Sequence, residues 1–109
     1  MLSKIFCRNS SKYSSMKNEK FGIGISIDYD KETGLTYVSK VHSPDLKDIV
    51  ERNDIIIEIN DSEVVLNSTF QIRDMIVGEY DSTVKIKFYR NKNEYSHTFS
   101  RNFTSSIFE

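Results

Sequence analysis

The sequence has little cysteine and no long apolar run, and both shortages limit what the protein can be. Its single cysteine, Cys7, cannot form an internal disulfide, and there is no second thiol with which to build a metal cluster. This excludes a disulfide-stapled scaffold and favours a reducing compartment, so a cytoplasmic location is expected. No apolar run approaches the ~18 residues that a membrane-spanning helix needs. The 109 residues, 38% hydrophobic and 28% charged, instead predict one soluble globular domain.

Motifs for catalysis are also lacking. The sequence contains no Gly-x-Ser-x-Gly elbow, no phosphate-binding loop and no metal-ligand helix. His42 and His97 fall on different predicted strands or strand ends with no cysteine near either, so no metal site is predicted. No cofactor and no catalytic residue are assigned, and we do not expect an enzyme.

Positive charge is concentrated in residues 1–18, "MLSKIFCRNSSKYSSMKN". Four of the 15 basic residues and no acidic residue lie there, which leaves 11 basic against 16 acidic residues in the rest of the chain. An acidic remainder without a basic stripe argues against nucleic-acid binding. The segment is predicted to be a flexible basic arm. Its basic residues are spaced about four apart, as in targeting sequences and membrane-surface segments. A mitochondrial or other organellar location, or peripheral membrane contact, is therefore an alternative.

From Glu19 onward, the sequence predicts short strands and helices separated by turn residues. "IGISIDY" and "LTYVSKV" alternate apolar with polar residues around the turn cluster "DKETG", which predicts two antiparallel neighbouring strands. "SPDLKDIV" predicts one or two helical turns, because Ser43 can cap them and the next residue is a proline.

The second half of the chain also consists of short elements separated by turn residues. "IIIEIN" is too short and too β-branched for a helix and predicts a buried central strand. "NSTFQIRDMIVGEY" predicts a helix of about three turns that is capped by Asn67 or Ser68 and ends near Gly78. Its apolar positions near helical spacing are Phe70, Ile72, Met75 and Ile76. "TVKIKFYR" and "EYSHTFSR" predict a final hairpin.

This order of elements resembles a PDZ domain over roughly residues 19–101. "FGIGI" looks like the carboxylate-binding loop of that family, "SPDLKDIVERND" is similar to its helix and Gly-Asp signature, and "IIIEIND" to its central strand and Asn-Gly turn. Asn-Asp replaces both family dipeptides, at 53–54 and 60–61, and these residues tolerate turn conformations.

The arrangement is similar to the permuted PDZ domains of bacterial-type and tail-processing proteases, because no apolar strand precedes Phe21 and a strand-like segment follows the core at 94–101. The resemblance implies an α+β fold. It would be a small, partly open antiparallel β-barrel or sandwich of five to six strands, capped by two helices. Residues 102–109 are expected to form a C-terminal tail.

The resemblance also implies a site for the C-terminal tail of a partner protein, or for an internal strand, that joins the sheet by β-augmentation. The loop would hold the terminal carboxylate with main-chain amides, and it comprises Phe21, Gly22, Ile23 and Gly24. The groove would be formed by Ile25, Ser26, Ile27, Thr69, Arg73 and Ile76. In the family, the first position of the longer helix faces the residue two before the peptide end, and Thr69 best matches that position here.

Two other functions stay open on the sequence. One is a membrane-associated adaptor that has a degenerate groove and attaches through its basic arm. The other is a regulatory domain separated from its protease. A monomer is expected, since nothing specifies pairing of the exposed edge strands.

Overall fold

Six strands form one antiparallel sheet. The computed structural model describes residues 20–104, so the predicted arm at 1–18 and most of the predicted tail lie outside the described residues. The strands are β1 (Ile25–Tyr29), β2 (Thr36–Val41), β3 (Ile55–Ile59), β4 (Ser62–Glu63), β5 (Thr83–Arg90) and β6 (Asn93–Ser100). Their order in the sheet is β1-β2-β3-β5-β6, with β4 paired to β3 alone. The predicted antiparallel first hairpin and the central position of "IIIEI" are therefore confirmed, and β1 is an edge strand.

One α-helix, α1 (Thr69–Ile76), lies in the described part of the chain. Ser68 begins it with a capping box: its hydroxyl accepts from the Gln71 amide at 3.1 Å, and the Gln71 side chain accepts from the Ser68 amide at 2.8 Å. The cap was among those predicted. The helix is about one turn shorter than predicted, because the chain becomes extended at Val77 and then pairs with a distant segment.

The second predicted helix is a three-residue 3-10 turn, Pro44–Leu46. Proline occupies its first position, as expected. The cap of two helices is therefore not confirmed; one helix and one short turn accompany the sheet.

The core lies between α1 and the sheet. Val84, Ile86 and Phe88 of β5 all point inward and are fully buried, as their alternation predicted. Ile72 and Ile76 bury the facing side of α1. The prediction of Phe70 as part of this apolar face is wrong, since its side chain is 72% exposed. Phe70 precedes Ile72 by two positions, which places it on the other side of a helix with 3.6 residues per turn.

A buried carboxylate ties the last hairpin to the turn before β3. Asp54 is only 1% exposed, and its two carboxylate oxygens accept from the Arg90 guanidinium at 2.7 and 2.8 Å. The Glu51 amide, at 2.9 Å, and the Tyr95 hydroxyl also donate to it. Burial works to raise the pKa of Asp54, but these donors together lower it below its ordinary value. The neighbouring Asn53 has the left-handed conformation expected of it, with φ of 79°.

Candidate functional site

The helix α1 and the edge strand β1 run antiparallel to each other and flank the candidate groove. At one end, the main chains of Phe21 and Gly78 exchange hydrogen bonds of 2.8 and 3.0 Å just beyond the last residue of α1. At the other end, the hydroxyls of Thr69 and Thr36 are 3.0 Å apart, and Thr36 is the β2 residue that pairs with Tyr29. The start of α1 therefore lies beside the end of β1, and the end of α1 beside the segment that enters β1.

Ile25 presents its main-chain groups to the open side of β1. The His42 amide donates to the Gly24 carbonyl at 2.7 Å, and Ile25 is paired with Val41. In an antiparallel ladder this bond brackets a non-hydrogen-bonded pair, so the amide and carbonyl of Ile25 point away from β2. No strand neighbours β1 on that side within residues 20–104.

The main chain of Ile27 is oriented in the same way. Its partner Val38 uses its amide for the Asp54 carbonyl at 2.8 Å, and its carbonyl accepts from the Asn53 amide at 2.7 Å. Val38 therefore turns both groups away from β1, and Ile27 faces the open edge as Ile25 does. Between them, Ser39 has no Cα partner in the register of β1 and β2 and marks a bulge in β2.

The predicted carboxylate loop is half engaged within the chain. The Phe21 amide donates to Gly78, and Gly22 exchanges two hydrogen bonds with Phe103, at 2.7 and 3.0 Å. The amides of Ile23 and Gly24, by contrast, donate to no group in the described part of the chain. Of the four predicted loop residues, Phe21 and Gly22 therefore anchor the loop, whereas Ile23 and Gly24 have unpaired amides within residues 20–104.

Gly24 occupies a position that only glycine fits. Its φ is +100°, and an added Cβ would lie 2.6 Å from the Ser43 Cβ and 3.2 Å from the Phe103 ring. Its carbonyl accepts from the amides of both His42 and Ser43, at 2.7 and 3.1 Å. These bonds fix the peptide group between Gly24 and Ile25. The Phe103 amide, which donates to the Gly22 carbonyl at 3.0 Å, fixes the peptide group that bears the Ile23 amide, and the group that bears the Gly24 amide lies between these two.

The apolar residues predicted for the groove belong to the hydrophobic core. Ile23, Ile25, Ile27 and Ile76 are all buried there. Contact of these residues with a ligand stays a prediction. Phe21 is buried as well, and its ring contacts Tyr80 edge-on at 5.1 Å.

The polar groove residues are already engaged within the protein. The Ser26 hydroxyl is fully buried and lies 2.6 Å from Nε2 of His42. The Thr69 hydroxyl is buried against Thr36, and Arg73 forms an exposed ion pair with Asp74 at 3.0 Å. Contact of these three residues with a ligand stays a prediction.

The segment after β6 holds the loop in place, and sequence analysis missed it. Arg101 donates to the carbonyls of Ile76 at 2.7 Å and Met75 at 3.1 Å, and so caps the end of α1. It also donates to the Thr83 carbonyl at 2.8 Å, and burial lowers the pKa of its guanidinium. Two residues later, Phe103 binds the loop. No local pattern marks these residues, because their partners are distant in sequence.

Neither a metal cluster nor a membrane helix is found within residues 20–104. No group of three or more histidine, cysteine, aspartate or glutamate side chains in this range is placed to hold a metal ion. No helix in the same range has the length and apolar character to cross a membrane.

An edge strand flanked by an antiparallel helix, a glycine loop at their junction and a last strand after the core define a PDZ fold in its permuted arrangement. The structure is similar to that of a photosystem II D1 C-terminal processing protease, with 22% identity and a TM-score of 0.71 over 92% of this chain and 27% of that one. It is also similar to the PDZ domain of the carboxy-terminal protease from Vibrio cholerae in complex with peptide. There the identity is 18% and the TM-score 0.66, over 76% of this chain and 95% of that one.

The chain thus spans about a quarter of the length of the processing protease. No protein-family model and no curated protein matches the sequence. At these identities, the two solved structures show the fold.

Proposed function

We propose that this domain binds the C-terminal end of a partner polypeptide, which adds to β1 as an antiparallel strand. The observation that carries the proposal is the pair of unpartnered amides at Ile23 and Gly24, in a loop that the protein otherwise ties down on both flanks. Buried main-chain donors are nearly always paired in folded proteins. Two adjacent donors held in a fixed orientation are complementary to a carboxylate.

The open edge of β1 supplies the rest of the contact. Ile25 and Ile27 are two residues apart, and an added strand bonds to its neighbour at every second residue. With its carboxylate at Ile23 and Gly24, the peptide runs antiparallel to β1 toward Tyr29. Its main chain supplies most of the affinity, and the side chains that reach α1 supply specificity.

The similar PDZ domain from Vibrio cholerae is in complex with peptide, which supports this class of partner. We assign the domain a binding role without catalysis. The same edge would also accept an internal strand, but such a strand would leave the two amides without a carboxylate. A terminal tail uses both features of the site and is therefore the preferred ligand.

A second candidate is a separate regulatory module that presents C-terminal tails to a protease. The likeness to about a quarter of a processing protease favours it. Co-purification with a protease subunit, lost when binding of C-terminal peptides is lost, would support this role.

The proposed function is tested by titrating labelled random-sequence octapeptides with either a free carboxylate or a C-terminal amide. Each charge-assisted hydrogen bond contributes about 1.5–3 kcal/mol, so removing the charge and two such bonds should weaken binding at least ~10-fold. Acetylation of the peptide N-terminus serves as the control and should change the affinity less than about twofold. Equal binding of the amidated and free peptides would refute carboxylate recognition.

A further inference from the structure

An apolar cleft lies at the end of the groove opposite the loop. Its volume is about 660 Å³, and we call it the hairpin cleft. The end of the β1–β2 hairpin forms one wall, and the segment that leads into α1 forms the other. Its large apolar residues are Tyr29, Leu35, Leu66 and Phe70.

The hairpin cleft exposes an unusual amount of apolar surface. Leu66 is 96% exposed, Phe70 72% and Tyr29 47%, and these are three of the five large hydrophobic side chains that stand out to solvent in the described residues. Contiguous exposed apolar surface in a small domain usually marks an interaction site.

We propose that the hairpin cleft binds an apolar side chain four residues before the last residue of the peptide held in the groove. The inference rests on the proposed function, since the register is counted from the carboxylate. It adds a specificity-determining subsite to that function.

The register of an added strand places that residue at the cleft. With the carboxylate held by the Ile23 and Gly24 amides, the last peptide residue lies beside Ile25, whose amide and carbonyl face the open edge, and Tyr29 lies four residues further along the chain. An antiparallel neighbour advances one residue for each residue of β1, about 3.4 Å at a time. The residue four before the last therefore lies beside Tyr29, whose side chain lines the cleft.

The chemistry of the lining selects an apolar group. No charged side chain lines the cleft. Three of its hydroxyls form hydrogen bonds within the protein: that of Ser68 in the helix cap, that of Thr69 with Thr36, and that of Thr33 with the Leu35 amide at 3.3 Å. The Tyr29 hydroxyl and the Asn67 side chain are its other polar side-chain groups, and both are neutral. A charged peptide residue would lose water there without meeting an opposite charge, whereas an apolar one would cover Leu66 and Phe70.

The test uses two octapeptides with a free carboxylate and identical last four residues. One carries Phe, and the other Ser, at the residue four before the last, and the two peptides are otherwise identical. Affinities are measured by fluorescence anisotropy with the full chain, with Leu66→Ser and with Tyr89→Ser. Leu66 is almost fully exposed, so its replacement leaves the fold intact, and Tyr89 is an exposed aromatic on β5 that does not line the cleft.

We expect the Phe peptide to bind the unaltered chain about tenfold more tightly than the Ser peptide. This ratio should fall below about twofold in Leu66→Ser and persist in Tyr89→Ser, while the Ser peptide binds all three proteins alike. Circular dichroism of each variant verifies its fold.

The two proposals fail in distinguishable ways. Carboxylate-dependent binding of both peptides with no gain from Phe, or a gain that survives Leu66→Ser, would overturn the subsite and leave the proposed function standing. The absence of carboxylate-dependent binding to either peptide would overturn both.

Other occupants of the cleft are separate outcomes. Self-association that depends on concentration and is lost in Leu66→Ser would assign the cleft to a second copy and overturn the inference. A nitroxide on Cys7, the single cysteine, that broadens the amide signals of Leu35 and Leu66 in the free chain would assign it to residues 1–19. That result would overturn the inference as well.

Discussion

Replacement of Gly24 by alanine tests the loop on which the proposed function depends. Gly24 has φ of +100°, and Gly34, in the β1–β2 turn, has φ of +77°. An alanine at either position carries a backbone penalty of about 1–2 kcal/mol, because its Cβ crowds the main chain when φ is positive. Gly34→Ala is therefore a matched control for the conformational cost of placing alanine at a positive φ.

The surroundings of the two glycines differ. The nearest atom to a Cβ at position 34 is the Tyr29 hydroxyl oxygen at 3.7 Å, an ordinary contact. A Cβ at position 24 would meet the Ser43 Cβ at 2.6 Å, and Ser43 is itself bonded to the Gly24 carbonyl. Overpacking of this kind adds about 1–3 kcal/mol, so Gly24→Ala should lower the free energy of unfolding by about 2–5 kcal/mol and Gly34→Ala by about 1–2.

Binding should separate the two variants further. Relief of the clash must move the Gly24 main chain, and with it the Gly24 amide relative to the Ile23 amide, so affinity for a tetrapeptide with a free carboxylate should fall more than ~10-fold in Gly24→Ala. Gly34→Ala should change it less than about twofold. Unfolding is followed in urea by circular dichroism, and binding by fluorescence anisotropy under conditions where each variant is folded. Equal losses of stability, with unchanged affinity in both variants, would refute this account of the loop.

Two further predictions concern the groups that brace the groove. Asp54→Asn should destabilise the domain by about 3–5 kcal/mol at pH 7, because it breaks a buried pair with Arg90. The pKa of Asp54 is lowered in the folded state, so its stabilisation is present above the ordinary value of 3.8 and is lost as pH falls through the folded pKa. Urea unfolding from pH 7 to pH 2 should therefore show the gap between wild type and Asp54→Asn narrowing below about pH 4, and a constant gap would contradict the linkage. Arg101→Met should cost about 2–4 kcal/mol, since it leaves the carbonyls at the end of α1 without their donor. Arg101→Lys should recover part of this loss in the same assay, and a loss below about 0.5 kcal/mol in Arg101→Met would show that the cap is dispensable.

Features with a local cause were predictable from the sequence. Ser68 begins α1 because its side chain and that of Gln71 satisfy the first amides of the helix, a pattern contained within four residues. The left-handed conformations of Asn53, Asn60 and Asp61 follow from residue types that tolerate positive φ.

Features that depend on distant contacts were not predictable in this way. Helical spacing identified a set of apolar residues but not the side of α1 that meets the sheet, so Phe70 was assigned to the apolar face and is exposed. The end of α1 was placed too late, because the chain leaves the helix to pair Gly78 with Phe21, far away in sequence.

The sequence by itself determined the order of the strands along the chain, because alternation and turn residues are properties of a few neighbouring residues. Only the tertiary structure decided which loop amides are left for a ligand. Gly22 gives its amide to Phe103, whereas Ile23 and Gly24 keep theirs. A hydrogen bond between residues so far apart depends on how the folded chain returns to the loop, and no short stretch of sequence specifies that path.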